Sequence, residues 1–273
     1  MEAMGDRFKK YEQVSEQVLP PRLPVIVRLD GNSFSRMTKV MRFQKPFDLR
    51  FLEAMDVAAT AVMDYCSGSQ IAYCYSDEIS ILLRNDMTHE TEPFLANRTQ
   101  KIVSLFASTA SVAFNKVMNS YGMETEAVFD GRTFVVPPSE VTNYFLWRQK
   151  DSFRNCMHGV AYYGLREKYG RKSAHKKLHG LSTDKRRELI LEELDLDVED
   201  IRTELKRGRC VLRETYEAPL SEVMEPSKFE KLVASGRITD TNKKVIRSNW
   251  VVDREIPDFN EDRNYIEKFL YDG

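Results

Sequence analysis

The sequence predicts an α+β protein with a ferredoxin-type split βαβ core and a mainly helical C-terminal half. In the first half, apolar segments follow the order strand, helix, strand, strand, helix, strand, which is the split βαβ arrangement. Beyond Pro138 the chain is more charged and its pattern is mainly helical. With 273 residues, of which 42% are hydrophobic, the chain can bury a core. We expect that core in residues 1–138 and a mainly helical region in residues 139–273, with a soft boundary compatible with one globule.

The first elements are an opening amphipathic helix and a buried strand. A proline-rich segment, residues 20–24, ends the helix. Residues 25–29 follow as a nearly continuous β-branched and apolar run, which is typical of a strand covered on both faces. The run stops at Asp30-Gly31, so Asp30 is predicted at the carboxyl end of a strand.

A long helix and a β-hairpin come next. Asp48 is predicted to cap a helix that ends near Tyr65, because apolar residues recur there at helical spacing. Residues 71–75 and 79–83 are predicted to form two strands joined by a tight turn at residues 76–78. The turn has the sequence Ser-Asp-Glu, so the hairpin carries acidic side chains at its tip.

A second long helix and a final strand segment follow the hairpin. The helix is predicted over residues 93–118, where apolar side chains recur at helical spacing. Two short strands, residues 127–129 and 133–136, are predicted to flank a turn at residues 130–132. These segments supply the second helix and the final strand of the split βαβ order.

The second half contains a strongly basic stretch although the formal net charge of the chain is only −1. Helices are predicted near residues 139–169 and 183–194. In and between them Glu167 and Asp184 face a larger set of cations: Arg166, Lys168, Arg171, Lys172, Lys176, Lys177, Lys185, Arg186 and Arg187. Such a stretch can bind a polyanion, and a solvated helix face has the same composition.

The cysteine pattern and the hydropathy bear on where the protein works. The four cysteines, Cys66, Cys74, Cys156 and Cys210, lack C-x-x-C pairing, the spacing of a secreted disulfide framework and zinc-finger spacing. No apolar run approaches the roughly 20 residues of a membrane span. We therefore expect a cytoplasmic protein with no membrane partner.

Acidic residues are predicted to converge at one end of the core sheet. In a split βαβ fold the first strand lies beside the central hairpin, which brings Asp30 near Asp77 and Glu78. Magnesium prefers hard oxygen ligands, and two such ions bridged by carboxylates can promote phosphoryl transfer. However, Asp-Gly is also a common turn pair and acids at hairpin tips are usually solvated. Spacing alone therefore leaves both interpretations open.

Several motifs together resemble the tRNA-His guanylyltransferase superfamily in order and spacing. They span nearly the whole chain, and each is weak alone. They are Val27-Arg28-Leu29-Asp30-Gly31 with Phe34, Lys45-Pro46-Phe47-Asp48, Tyr75-Ser76-Asp77-Glu78, residues 97–104 (Asn-Arg-Thr-Gln-Lys-Ile-Val-Ser), Phe129-Asp130-Gly131-Arg132, residues 144–151 (Tyr-Phe-Leu-Trp-Arg-Gln-Lys-Asp), Leu178-His179-Gly180, Asp184-Lys185, Arg207-Gly208, Arg213 and Ile256-Pro257-Asp258-Phe259.

The resemblance implies a polymerase-palm-like catalytic core that extends RNA in the 3′-to-5′ direction. It implies two Mg²⁺ ions held by Asp30, the Gly31 carbonyl and Asp77, with Glu78 as an adjacent catalytic acid. ATP would activate a 5′-monophosphate on tRNA, and the 3′-hydroxyl of an incoming GTP or other NTP would then displace AMP. It also implies a homotetramer, arranged as a dimer of dimers.

The resemblance and the charges together give two sets of candidate binding residues. The nucleotide-binding candidates are Arg28, Asn32, Ser33, Phe34, Lys45, Ser76, Asn97, Arg98, Lys101, Ser104, Asp130 and Arg132. The RNA-binding candidates are Arg148, Asn155, Lys172, Lys176, Lys177, Lys185 and Arg207. Cations in the first set suit triphosphate charge. Lys45 and Arg132 are also compatible with plain surface charge in loops, and Arg98 and Lys101 with the wet face of a helix.

One departure from the family pattern concerns substrate choice. Members specific for tRNA-His carry a His-Ile-Asn-Asn block, whereas the matching residues here are Ser152-Phe153-Arg154-Asn155. Ser35 and Leu181 also depart from the usual residues. These differences favour the like-protein branch, whose members repair truncated tRNA 5′ ends by template-dependent addition. Strict tRNA-His guanylylation and a non-catalytic tRNA-binding module are the alternatives, whereas the Tyr75-Ser76-Asp77-Glu78 hairpin argues against a cyclic-nucleotide synthase.

Overall fold

The computed structural model describes residues 3–271. Within them the helices are Met4–Val14 (α1), Phe34–Val40 (α2), Leu49–Tyr65 (α3), Thr99–Ser120 (α4), Pro138–Leu178 (α5), Thr183–Leu194 (α6), Thr203–Lys206 (α7), Leu220–Val223 (α8), Pro226–Ala234 (α9) and Asn264–Tyr271 (α10). The strands are Val25–Gly31 (β1), Ser69–Tyr75 (β2), Glu78–Leu83 (β3), Phe129–Val135 (β4), Arg209–Pro219 (β5) and Lys244–Asp253 (β6). None of these helices is both long and apolar enough to cross a membrane.

The strands form one antiparallel sheet in the order β4-β1-β3-β2-β5-β6. The first four strands of that order have the split βαβ topology, with β1 and β3 adjacent at the centre. The predicted α+β class and core topology are thus confirmed. The register places Asp30 of β1 opposite Glu78 on one side and Asp130 on the other.

The two faces of β1 pack against different layers. Val25, Val27 and Leu29 belong to a buried cluster with residues of α3 and α4. Ile26 belongs to a second cluster with residues of α5 and α10. Since side chains alternate along a strand, Arg28 and Asp30 lie on the same side as Ile26, toward α5. One face of β1 is therefore buried against α3 and α4, and its polar side chains lie on the other face, toward α5.

Several predicted boundaries differ from the structure: the opening helix ends at Val14, before the proline-rich segment, and two more differences lie in the core. Residues 127–136 were expected as two strands around a turn, but Phe129–Val135 is one strand that pairs continuously with β1. A Cβ at Gly131 would lie 2.9 Å from Leu29 Cδ2, so this glycine permits close packing and makes no turn. The second long helix begins at Thr99, after a short 3-10 turn over Phe94–Asn97 that contains left-handed residues.

The second half is mainly helical and also extends the sheet. Helix α5 is interrupted at Gly170, whose φ of 79° reverses the chain, so its last turns pack back as a helical hairpin. Strand β5 pairs with β2 and β6 pairs with β5, two strands that the sequence pattern did not indicate. Strands from both sides of position 138 therefore belong to one continuous sheet.

Candidate active site

Asp30 and Asp77 meet at one end of the central strands. The Gly31 amide donates a 2.9 Å hydrogen bond to the Asp77 carbonyl, which ties the end of β1 to the β2–β3 turn. Burial raises the pKa of Asp77, and the negative charges of Asp30 and Glu78 raise this pKa further against a hydrogen bond from Ser76. The two carboxylates thus repel each other in a partly buried site, and a bound cation would relieve that repulsion.

Backbone geometry holds this end of the sheet open. Ser33 and Ser76 have φ values of 58° and 47°, which turn the chain sharply three residues after Asp30 and one residue before Asp77. A Cβ at Gly31 would lie 2.5 Å from the Phe34 ring, so only glycine allows that ring to pack beneath the loop. Phe34 is buried among Phe51, Phe114 and Phe129, with ring centroids 5.0–6.0 Å away. The loop that carries Asn32 and Ser33 is therefore anchored from below.

The oxygen donors present suit Mg²⁺. Among residues 3–271, no cluster of three or more His, Cys, Asp or Glu side chains has the geometry of a metal site. Two carboxylates and the adjacent Gly31 carbonyl are nevertheless hard oxygen ligands, and Mg²⁺ commonly keeps several waters and substrate phosphates as further ligands. The pair of acids fits a metal ion that is shared with a phosphate substrate.

Glu78 is held by a buried arginine. Arg148 of α5 donates from Nε and a terminal nitrogen to the two carboxylate oxygens of Glu78 at 2.7 and 2.6 Å. Ser80 donates a further hydrogen bond of 3.0 Å to Glu78, and the Trp147 ring stacks 4.4 Å from the Arg148 guanidinium. Both Glu78 oxygens are therefore engaged within the protein. Arg148, an RNA-binding candidate, is buried and faces the sheet.

A cavity of about 400 Å³ opens beside Asp77. Its lining includes Lys45, Asp48, Ser76 and Asn155, and its volume is within the range of small-ligand pockets. Lys45 donates a 3.1 Å hydrogen bond to Thr38, and burial lowers the pKa of Lys45 although Asp48 and Asp77 oppose that shift. A cation thus lies in the same cavity as a candidate metal ligand.

Asp48 shapes the wall of this cavity. It caps α3 by accepting a 3.1 Å hydrogen bond from the Arg50 amide, as its sequence position predicts. It also accepts from the Gln44 amide at 2.9 Å, which folds the preceding loop over the cavity. The cavity lining also includes side chains that were not predicted from the sequence: Thr38, Gln44, His158, Glu204 and Arg209. Most of them come from distant segments, so no local sequence signal identifies them.

Arg28 and Arg132 form a second cationic feature on the α5 side of the sheet. They lie directly opposite each other on β1 and β4, where like charges are unfavourable. The Nε atom of Arg28 is buried without a hydrogen-bond partner, and the nearest carboxylate oxygen to Arg132 belongs to Asp130 at 3.8 Å. Two opposed arginines next to Asp30 favour an anion such as a phosphate group.

The remaining nucleotide-binding candidates lie apart from the cavity. Asn97 donates to the Leu19 and Pro20 carbonyls at 3.3 and 3.1 Å, so it fixes the segment before β1. Arg98 pairs with Glu16 at 2.6 Å. Arg98 and Lys101 line a small cleft against α1, and Ser104 follows one turn further along α4. The structure does not bring these four side chains to the lining of the Asp77 cavity.

The RNA-binding candidates divide by environment. Asn155 lines the Asp77 cavity, and the Arg207 carbonyl accepts a 2.8 Å hydrogen bond from Tyr73. Lys177 pairs with Glu193, and hydrogen bonds from Lys177 and Tyr169 hold the pKa of Glu193 at about 2. Among these RNA-binding candidates, the exposed cations without an ion pair to another described residue are Lys172, Lys176 and Lys185.

Family models match both halves of the chain. The model described as tRNAHis guanylyltransferase matches residues 5–137, and that of the Thg1 C terminal domain matches residues 139–253. A tRNA(His) guanylyltransferase from Debaryomyces hansenii is 31% identical over 219 residues, which cover 76% of this chain and 80% of the relative. A probable tRNA(His) guanylyltransferase from Dictyostelium discoideum is 26% identical, covering 82% and 90% respectively.

Solved structures give the same result. A bacterial tRNA(His) guanylyltransferase (Thg1)-like protein in complex with ATP is 33% identical with a TM-score of 0.79, covering 99% of this chain and all of that one. A complex of such a protein with GTP is 32% identical with a TM-score of 0.74 and the same coverage. The Saccharomyces cerevisiae tRNA(His) guanylyltransferase, at 24% identity and a TM-score of 0.66, covers 74% of this chain and 91% of its own and supports the fold alone. The paired acids, the neighbouring cavity and these matches show that the chain belongs to the tRNA-His guanylyltransferase family of nucleotidyltransferases.

Proposed function

We propose that this protein is a template-dependent 3′-5′ nucleotidyltransferase that repairs the 5′ end of tRNA. The observation that carries the proposal is the meeting of Asp30 and Asp77 at the rim of a nucleotide-sized cavity that also contains Lys45. A non-catalytic RNA-binding module would not need two repelling carboxylates in a partly buried site. The arrangement therefore favours phosphoryl chemistry.

The proposed reaction has two displacements at phosphorus. The 5′-monophosphate of the RNA attacks the α-phosphorus of ATP and releases pyrophosphate, which leaves an adenylylated 5′ end. The 3′-hydroxyl of the incoming NTP then attacks the RNA 5′-phosphorus and expels AMP, so that one nucleotide is added.

The residues of the site would divide this work. Asp30, the Gly31 carbonyl and Asp77 would hold two Mg²⁺ ions, which supply charge stabilisation for the attacking and leaving oxygens. Lys45 lies in the Asp77 cavity and would bind a phosphate of ATP there. Arg28 and Arg132, on the far side of Asp30, would orient phosphates of the incoming NTP or of the RNA end.

Template dependence is supported by the residues around Asn155. The stretch Ser152-Phe153-Arg154-Asn155 contains no histidine for recognition of tRNA-His, and in the fold Ser152 is fully buried while Asn155 lines the cavity. The two solved bacterial relatives are described as tRNA(His) guanylyltransferase (Thg1)-like proteins, one in complex with ATP and the other with GTP. The alternative, guanylate addition to tRNA-His alone, is favoured by the names of several sequence relatives.

A series of truncated tRNAs distinguishes the two functions. Purified protein is incubated with Mg²⁺, ATP, labelled NTPs and 5′-monophosphorylated tRNAs that lack the first nucleotide. The RNAs differ in the opposing base and, separately, in the anticodon. We expect incorporation to follow the opposing base alone. Addition that requires a GUG anticodon, or equal G incorporation opposite all four bases, would refute template dependence.

We also propose a cytoplasmic homotetramer. The four cysteines are free and buried, in agreement with a reducing compartment. Exposed apolar side chains on α1, including Met4, Phe8 and Tyr11, offer a surface for self-association. Light scattering of the purified protein at several concentrations measures the assembly, and a monomeric mass throughout would refute the tetramer.

A further inference from the structure

Four aromatic and imidazole rings cluster on the helical hairpin of α5. Rings of His158 and Tyr162 stack at 6.1 Å with an interplanar angle of 8°. The His175 ring lies 5.0 Å and the Tyr163 ring 5.1 Å from the Tyr162 ring. A straight helix would separate Tyr162 from His175 by roughly 20 Å. The reversal at Gly170 therefore creates this group, which we call the ring cluster.

The ring cluster lies between two cavities. His158 lines the cavity that contains Asp77, whereas Tyr163 lines a neighbouring cavity of about 630 Å³. The two cavities share Lys45, Pro46, Phe47 and Leu205 as lining residues, so they adjoin along the 45–47 loop. His158 and His175 are exposed, and both tyrosines are half-buried. A flat group entering from the candidate active site would therefore meet the His158 ring first, and the other rings lie next to it.

Charge around the ring cluster favours an anionic ligand. Partial burial lowers the pKa of His158, and the neighbouring Arg186 and His175 lower it further. The Nε atom of Arg186 is buried without a hydrogen-bond partner. The second cavity adds Arg166 and Arg202 as well as Glu167 and Asp200, although Arg202 pairs with Glu204. Stacking rings next to cations are the features that bind single-stranded nucleic acid.

We propose that the ring cluster binds the unpaired 3′ tail of the RNA substrate. This inference rests on the proposed function and identifies a subsite for it. A reacting 5′ end that is paired with its template lies at the end of a duplex, and the template strand continues beyond it as a single strand. That strand leaves the duplex beside the acids, where His158 and Tyr162 offer ring faces to its bases.

Binding measurements on two RNAs test this subsite. Fluorescence anisotropy without ATP or NTPs gives Kd for a labelled tRNA with its 3′ tail and for the same tRNA without the tail. His158→Ala and His175→Ala should each weaken binding of the tailed RNA about fivefold or more, as expected when one base no longer stacks on a ring. Binding of the tail-less RNA should stay unchanged. Tyr216→Ala, an exposed tyrosine on β5, is the matched control and should affect neither RNA.

Replacement of the ring by a different group separates stacking from charge. His158→Phe should restore binding of the tailed RNA, whereas His158→Lys should not. Equal losses for both RNAs, or restoration by lysine alone, would overturn the proposal. So would an unchanged Kd for both alanine variants with a lowered thermal midpoint, since the rings would then only pack the hairpin. Tail-dependent binding without any nucleotide addition would instead refute the proposed function and leave the tail subsite in place.

Discussion

Neighbouring acids at the hairpin tip have opposite surroundings. Asp77 has a raised pKa because it is buried and lies near other negative charges. Glu78, one residue later, has both oxygens engaged by Arg148. The difference follows from their positions, since Glu78 begins β3 and reaches Arg148 of α5, whereas Asp77 lies in the turn before the strand. We therefore propose that Asp77 is a metal ligand and that Glu78 holds the hairpin in place.

Substitution of the paired acids should abolish activity without unfolding the protein. Asp30→Asn and Asp77→Asn keep the side-chain volume and remove a charge that a metal ion needs, so nucleotide addition should fall by orders of magnitude. Incorporation of labelled NTP at the 5′ end of tRNA, assayed over a range of Mg²⁺ concentrations, measures the loss, and circular dichroism checks the fold. Near-normal addition by either folded variant would show that the metal site lies elsewhere.

Substitution of Glu78 should reduce stability as well as activity. Glu78→Gln leaves the buried Arg148 with Asp151, 3.2 Å away, as its remaining carboxylate partner among the described residues, so the loss should reach at most the roughly 3–5 kcal/mol typical of a broken buried ion pair. Urea unfolding should show this loss, and a second substitution, Arg148→Met, should recover part of it. If Glu78→Gln keeps the wild-type stability but lacks activity, Glu78 acts directly on the substrate or metal and our assignment is wrong.

At the scale of elements, the sequence predicts those that are apolar and regular. Strand β1, the β2–β3 hairpin and helix α3 with its Asp48 cap are confirmed. Strands β5 and β6 could not be predicted because much of each is exposed and polar, which leaves no apolar alternation to detect. Gly131 was wrongly predicted to lie in a turn; it is a glycine because a larger residue would collide with Leu29.

The packing role of Gly131 can be measured directly. A Cβ there would lie 2.9 Å from Leu29 and 3.2 Å from Val103, so Gly131→Ala should destabilise the protein by about 1–3 kcal/mol through overpacking. Gly5→Ala is the matched control, because Gly5 is helical and its Cβ would have no neighbour within 4 Å in the part of the chain that the structure describes. Thermal unfolding compares the two, and equal midpoints would show that β1 and β4 can separate to accept the methyl group.

Unpaired lysines on the helical hairpin of α5 and on helix α6 should contact the RNA backbone. Replacement of Lys172, Lys176 and Lys185 by glutamine should weaken tRNA binding and flatten its salt dependence. The slope of log K against log salt should fall by about 0.7–0.9 for each phosphate that the protein no longer neutralises. The matched control replaces three exposed lysines elsewhere, Lys116, Lys228 and Lys231. An equal change in slope for both triple variants would indicate only a net-charge effect.

At the scale of the whole molecule, a buried ionic network joins the two halves of the chain. Asp56 of α3 accepts hydrogen bonds from Arg209 of β5 and from Arg254, which also pairs with Glu204 at 2.8 Å. Asp56 and Arg209 are 3% and 2% exposed. The first half therefore supplies the anion that neutralises a buried cation of the second half.

Loss of this network should destabilise the entire fold. Asp56→Asn leaves Arg209 uncompensated, so the free energy of unfolding should fall by about 3–5 kcal/mol in urea titrations. Lys244→Gln is the control, because Lys244 and Glu217 form an ion pair with both side chains 65% exposed, and it should cost no more than about 1 kcal/mol. A small effect of Asp56→Asn would mean that water or Glu204 satisfies Arg209.

The candidate site could be predicted only in part, because some of its contacts join the two halves of the chain. The order of strands placed Asp30 beside Asp77, since topology alone brings those strand ends together. The partner of Glu78 could not be predicted, because Arg148 lies in a helix that crosses the sheet from the other half of the chain. The same holds for His158 and Arg209 in the cavity wall. Contacts across halves depend on packing that no local pattern records.

Because side chains alternate along β1, substitutions at neighbouring positions near its end should affect different properties, either stability or activity. Odd-numbered positions 25, 27 and 29 are buried in the core, whereas the even-numbered Arg28 and Asp30 face the candidate active site. Deletion of a single residue before Arg28 would exchange the two sets and place charges in the core. Point substitutions keep the sets apart. Laboratory selection for altered nucleotide use can therefore vary position 28 while the odd-numbered positions continue to hold the fold.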